Sequence, residues 1–262
     1  MSAGMNDAAS PTVLVVRPRA QALAWVAQLE AAGVAARALP LIDILPAPDP
    51  AAVAAAFAQL ERDAAQEPVL VFVSPNAVDG FFAAAGAPAW PGRAIAAATG
   101  PGTVAALRAA GVPRDRIVAP PTESEQFDSE ALWAQIRRWP WTDRPVWLVR
   151  GNGGREWLGK QLRGAGARVE IVQSYARAEP ALGEAERALL AAAQAEPAQW
   201  VWMFSSSEAI GHLETLAPGT DWRAARALAS HPRIAERARE LGFGRVDAVT
   251  PTVSAVAALI LA

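Results

Sequence analysis

Continuous apolar runs punctuate this chain: TVLVV at 12–16, VLVFV at 69–73, VWLV at 146–149 and WVWMF at 200–204. Their unbroken hydrophobicity is what a strand shows when helices cover both faces of its sheet. Each run leads into a polar turn and then an alanine-rich stretch with helical spacing. Repeated strand, turn and helix predict an α/β fold on parallel sheets.

The pattern also repeats on a larger scale. VLVVRPRAQALAWVAQLEAAG matches VWLVRGNGGREWLGKQLRGAG, pairing Arg17 with Arg150 at an offset of 150 − 17 = 133. FVSPNAVDGF resembles FSSSEAIGHL, which pairs Ser74 with Ser206 at 206 − 74 = 132. ATGPGTVAALRAAGV resembles ASHPRIAERARELGF, pairing Pro101 with Pro232 at 232 − 101 = 131. Three units in one order at nearly constant spacing point to two similar α/β halves.

Two divisions of the chain fit this repeat. One cuts it in order, near residues 120–145, where TESEQFDSEALW and the WPWTDRP loop lie. The other exchanges the first βα unit of each half, giving one domain from 1–38 with 176–262 and another from 43–170. The extended, proline-bounded segments ALPLIDILPAPDP (38–50) and EIVQSYARAEP (170–180) follow the Arg17 and Arg150 units directly. Paired side by side, with 39–42 and 171–175 as hinge strands, they would set Tyr175 at the mouth of an interdomain cleft. Tyr175 is the only tyrosine in 262 residues.

Composition narrows the function classes. With 52% hydrophobic residues and a formal net charge of −2, the chain buries a large core and lacks the cationic excess of a nucleic-acid binder. It has no cysteine, so disulfides, thiolate metal sites and cysteine nucleophiles are excluded, and His212 and His231 are too few for a histidine-rich metal site. MSAGMNDAAS lacks the basic start of a signal peptide, and no apolar stretch reaches the roughly 20 residues of a membrane helix. A cytoplasmic, monomeric protein is the expectation. Lys160 is the single lysine, so any carboxylate ligand meets arginine, whose planar fork binds it bidentately.

Six polar turns sit between strand and helix: Arg17-Pro18-Arg19, Ser74-Pro75-Asn76, Gly100-Pro101-Gly102-Thr103, Arg150-Gly151-Asn152-Gly153-Gly154-Arg155, Ser205-Ser206-Ser207 and Ser230-His231-Pro232-Arg233. Free N–H groups at helix starts accept anions, and ligands of open α/β sheets bind at the carboxyl ends of strands. The same residues also serve as ordinary helix caps. RGNGGRE ends in neither Gly-Lys-Ser nor a G-x-G-x-x-G spacing, so it is no nucleotide loop. Its glycines let the backbone approach a ligand or turn tightly, and Arg155 offers a carboxylate fork. His231 reads as a capping or solvent-facing residue with proton transfer as the alternative, His212 carries no functional reading, and Trp139, Trp141 and Trp147 read as packing.

Taken together, VVRPRAQALAWVAQLEAAG, LPLIDI, FVSPNAV, GPGTVAAL, DSEALW, LVRGNGGREWLGKQLRGAGARV, SYARAEP and HPRIAERARELGF resemble the uroporphyrinogen-III synthase family over about residues 12–260. The resemblance implies two flavodoxin-like domains in the exchanged arrangement, joined by a two-strand linker, with no metal and no cofactor. It implies the substrate hydroxymethylbilane, a linear tetrapyrrole with eight carboxylates, whose cyclisation inverts the last ring and releases water. Positioning dominates such chemistry. The expected carboxylate contacts are Arg17, Ser74, Asn76, Thr103, Arg150, Gly151, Arg155, Ser205, Ser206, Ser230 and His231. His231 stands where the family pattern commonly has glycine. Tyr175 matches the linker tyrosine expected to assist loss of water; phenols ordinarily ionise near pH 10, so it keeps its proton to donate. A two-lobed binding module for a small anion or tetrapyrrole, without chemistry, is the alternative reading.

Overall fold

The computed structural model describes residues 11–86, 89–124 and 126–262; the segment 1–10, read above as no signal peptide, lies outside them. The chain divides into two compact units, one from residues up to Asp43 with Ala178–Ala262 and the other from Ile44–Arg177.

In chain order the elements are β1 (Thr12–Val15), α1 (Arg19–Ala31), β2 (Ala36–Ala38), β3 (Asp43–Pro46), α2 (Pro50–Arg62), β4 (Val69–Phe72), α3 (Pro75–Ala85), β5 (Ile95–Ala98) and α4 (Pro101–Ala109). They continue with β6 (Ile117–Val118), α5 (Ser129–Ile136), β7 (Pro145–Arg150), α6 (Trp157–Gly164), β8 (Arg168–Gln173) and β9 (Tyr175–Ala178). The last are α7 (Glu184–Ala195), β10 (Trp200–Phe204), α8 (Ser207–Leu216), β11 (Arg226–Ala229), α9 (Pro232–Glu240), β12 (Arg245–Ala248) and α10 (Val253–Leu261). All four apolar runs are strands within a residue or two of their expected bounds.

The first unit carries a parallel sheet in the order β12-β11-β10-β1-β2, and the second a parallel sheet in the order β6-β5-β4-β7-β8. A separate two-stranded sheet pairs β3 with β9. Its strands begin later in the chain than the segments 39–42 and 171–175, because Arg168–Gln173 first completes the edge of the second sheet against β7. In both five-stranded sheets the direction of strand addition reverses once, between β1 and β10 and between β7 and β4. Such a reversal leaves a crevice at the carboxyl ends of the two strands.

Both faces of the sheets are covered, as the unbroken apolar strands require. In the second unit one core gathers Leu70, Phe72, Phe81, Trp147 and Tyr175, and the opposite face gathers Val71, Ile136, Trp141, Leu148 and Leu162. Trp141 and Trp147 are buried. Trp139 stacks on Trp141 at 5.6 Å between ring centres, and the indole N–H of Trp141 donates to the Ile136 carbonyl at 3.1 Å. These rings pack against their own unit's core. His212 lies in α8 with Nδ1 2.6 Å from the Leu41 carbonyl oxygen, a contact that ties the helix to the segment after β2.

Candidate active site

At the reversal between β7 and β4, register sets Phe72 beside Val149, so the turns that follow leave the sheet together. The turn after β4 begins α3. Ser74 is extended, with φ −165° and ψ 162°, and its Oγ accepts the Ala77 N–H at 3.2 Å, so it is the helix N-cap. The turn after β7 holds Gly151, and between the two stands Tyr175. The phenol Oη lies 3.2 Å from Ser74 Oγ, a hydrogen bond across 101 residues.

Tyr175 has little freedom. It is 5% exposed, and its ring lies flat against Gly151, where an added Cβ would stand 2.6 Å from Cζ and 2.7 Å from Cε2. The adjacent Ser174 is fully buried and donates from Oγ to the Ala77 carbonyl at 2.9 Å. Gly80 makes room for that strand: a Cβ there would lie 2.1 Å from the Ser174 carbonyl oxygen. The first turns of α3 are thus clasped by two consecutive residues, Ser174 and Tyr175.

A cavity of about 120 Å³ opens beside the phenol, bounded by Arg150, Gly151, Gly154, Arg155, Tyr175 and Arg177. The glycine-rich turn forms its wall by using φ +69° at Gly153 and φ +98° at Gly154, a region that L side chains rarely adopt. Asn152 fastens this turn to β9, its Oδ1 accepting the Arg177 N–H at 2.5 Å and its Nδ2 donating to the Arg177 carbonyl at 3.0 Å. Arg155, expected as a carboxylate fork, is paired with a carboxylate of the chain itself. Both its terminal nitrogens bind the Glu130 carboxylate, NH2 to Oε2 at 2.7 Å, and these hydrogen bonds raise its pKa above the usual arginine value. No hydrogen bond holds the Arg150 guanidinium among the described residues, so this charge is the one open to an anion in the cavity.

The other expected contacts of this unit stand apart from the cavity. Asn76 lies in the first turn of α3. Thr103 is 3% exposed in the first turn of α4, its N–H bonded to the Gly100 carbonyl at 3.1 Å. Gly100 abuts Phe127 so closely that a Cβ would meet that side chain at 2.9 Å.

The first unit repeats the arrangement at its own reversal. Val15 and Phe204 end adjacent strands, so Arg17 and the Ser205-Ser206 turn lie side by side, with Ser230 and His231 following β11 next to them. Ser206 accepts the Glu208 N–H at 3.1 Å and His231 Nδ1 accepts the Arg233 N–H at 3.2 Å; both are helix caps, and the histidine's proton is thereby assigned to Nε2. Arg17 occupies a desolvated position against Trp25. Its Nε is buried without a hydrogen-bond partner, its guanidinium carbon sits 4.3 Å over the Trp25 ring, and desolvation lowers its pKa to about 10.

In the second unit a phenol at the strand-order reversal stands beside an arginine without a hydrogen-bond partner among the described residues, and the first unit carries its own polar turns at the equivalent reversal. A family model described as Uroporphyrinogen-III synthase HemD matches residues 24–258. The chain belongs to the uroporphyrinogen-III synthase family. Among solved structures it is similar to uroporphyrinogen-III synthetase of Helicobacter pylori, with a TM-score of 0.61, 15% identity and coverage of 96% of this chain and 98% of that one. It is also similar to a mutant uroporphyrinogen III synthase of Thermus thermophilus, with a TM-score of 0.57, 18% identity and coverage of 95% and 97%. At such identities the likeness establishes the two-domain α/β fold of uroporphyrinogen-III synthases.

Three residues that build the site were not among the expected contacts: Ser174, Asn152 and Arg177. All three lie in stretches already singled out, SYARAEP and RGNGGRE. Their partners are 97 and 25 residues away, beyond the reach of any local pattern.

Proposed function

We propose that this protein cyclises hydroxymethylbilane to uroporphyrinogen III, inverting the last ring and releasing water, as a monomeric cytoplasmic lyase that needs no metal or cofactor. The observation that carries the reading is the placement of the lone phenol, which faces a small arginine-lined cavity at the β7/β4 reversal. In this chemistry the terminal hydroxymethyl C–O bond breaks as the hydroxyl takes the Tyr175 proton and leaves as water. The pyrrole nitrogen supplies the electron pair that stabilises the remaining cation, and loss of the pyrrole N–H proton returns a proton to the phenolate. General-acid assistance of this kind contributes about 10²–10⁴ in rate. Arg150 and Arg17 are assigned to substrate carboxylates in this reading; each stands at or just after the carboxyl end of a central strand of its sheet, and neither has an acidic partner among the described residues. The capped turns at Ser74, Ser206 and His231 offer the remaining free N–H groups of their helices.

Incubation with freshly generated hydroxymethylbilane, oxidation of the products and chromatographic separation of the isomers tests the reading. Type III isomer in excess over the uncatalysed control is expected. Type I isomer alone would remove it.

A further inference from the structure

We infer that Ser74 is a positioning residue for Tyr175, one that aims the phenol proton at the leaving hydroxyl and strengthens it as a donor; the inference rests on the dehydrating role proposed for Tyr175. A serine hydroxyl has one proton and two acceptor positions. One acceptor position of Ser74 Oγ is filled by the Ala77 N–H at 3.2 Å, and the Tyr175 Oη also lies 3.2 Å from it. If Tyr175 donated to Ser74, its only proton would point away from the substrate. With Ser74 as donor, the order runs from the α3 N–H to Ser74 Oγ, from the Ser74 hydroxyl to Tyr175 Oη, and from the phenol outward.

The surroundings favour that order. The amino end of a helix carries positive potential, and hydrogen bonds in series polarise one another. Ser74 therefore relays the α3 terminus to the phenol oxygen, where negative charge grows as the proton leaves. Its hydrogen bond is stronger in the transition state than in the ground state, which places its effect in kcat and not in KM. The ring is held for this purpose: Gly151 lets it lie flat, and Ser174 binds the Ala77 carbonyl, so the strand and the helix turn cannot separate without losing both contacts. Among the described residues, the charged groups lining the same cavity are Arg150, Arg155 and Arg177, with Glu130 on Arg155. None of them takes the serine's place at the phenol oxygen.

The lone tyrosine makes the test direct, since tyrosine labelled with 13C at Cζ gives a single resonance that senses hydrogen bonding at Oη. It is recorded for wild type, Ser74→Ala, Ser74→Thr and Ser74→Asp alongside kcat and KM for type III isomer formation. Aspartate caps a helix as well as serine does but has no proton to donate, so it separates loss of the donor from loss of the cap. Ser74→Ala and Ser74→Asp are expected to move the resonance and lower kcat about tenfold with KM held. Ser74→Thr is expected to keep both near wild type. Adding Ser74→Ala to Tyr175→Phe is expected to cost nothing further. An unmoved resonance, full kcat in Ser74→Asp, or a raised KM at constant kcat would each overturn the inference. Failure of the broader reading looks different: wild type would yield no type III isomer while the resonance still moved with Ser74.

Discussion

Arg17 carries a charge in a place that burial makes unfavourable. Desolvation lowers its pKa to about 10, well below the usual arginine value, so the charge penalises the folded state fully below about pH 10 and less as pH rises above it. No salt bridge to an acidic residue offsets that cost among the described residues, and the proposed carboxylate contact would supply the missing charge. Arg17→Met keeps the packing on Trp25 and removes the charge. Its melting temperature at neutral pH is expected to rise by about 2–4 °C, while KM for the polycarboxylate rises. A fall in melting temperature with unchanged KM would make the arginine structural. Gly151 offers the reverse case. In Gly151→Ala the methyl would enter the space of the Tyr175 ring, 2.6 Å from Cζ, and the ring cannot retreat because it is packed against the second unit's core. A loss of about 1–3 kcal/mol in stability is expected, with turnover falling to that of Tyr175→Phe. Denaturant unfolding and kcat together check it.

Among the elements, two strands that the hydrophobic pattern did not announce are alanine-rich. Ile95–Ala98 reads IAAA and Arg226–Ala229 reads RALA, sequences with strong helical propensity. They are strands because each is sandwiched in a parallel sheet, with Ala96, Ala97, Ala98, Ala227 and Ala229 all at zero exposure. Small side chains there let α3 and α4, or α8 and α9, approach the sheet closely, and packing overrides propensity. Helix α3 shows the same contest at one position. Gly80 sits mid-helix, where alanine would ordinarily gain about 0.8–1 kcal/mol. The added Cβ would stand 2.1 Å from a backbone oxygen of Ser174, and a clash with backbone costs more than the propensity returns. Gly80→Ala is therefore expected to lower the melting temperature and to loosen the Ser74–Tyr175 contact; a stabilised variant would show that the strand can move.

At the scale of the whole molecule, the internal repeat and the two sheets explain one another. Aligning Arg17 with Arg150, Ser74 with Ser206 and Pro101 with Pro232 makes β1 equivalent to β7, β4 to β10 and β5 to β11. The sheets β2-β1-β10-β11-β12 and β8-β7-β4-β5-β6 then have one spatial order, although the chain enters the first at β1 and the second at β4. One unit is a circular permutation of the other, and its two ends meet where β3 pairs with β9. Because Ile44–Arg177 is continuous and carries its own sheet and two-faced core, that segment expressed alone is expected to melt cooperatively and keep a near-ultraviolet signal from its buried tryptophans. An unfolded fragment would mean that the second unit depends on the first.

Local pattern was enough for the α/β class, the four apolar strands, the repeat and the two extended segments, because strand burial and turn chemistry act over a few residues and leave their mark in order along the chain. It was also enough to single out Tyr175 and the turns at Arg17, Ser74 and Arg150. Three outcomes belonged to tertiary structure alone. Parallel pairing of β1 with β10 joins residues nearly two hundred positions apart, and two equivalent βα units offer the same local signal to either partner. Glu130 takes the fork of Arg155, since an ion pair depends on which surfaces meet and not on spacing. Ser74 binds the phenol because β4 and β7 are neighbours and β9 passes across their ends, a juxtaposition set only when the sheet closes and its buried polar groups must find partners.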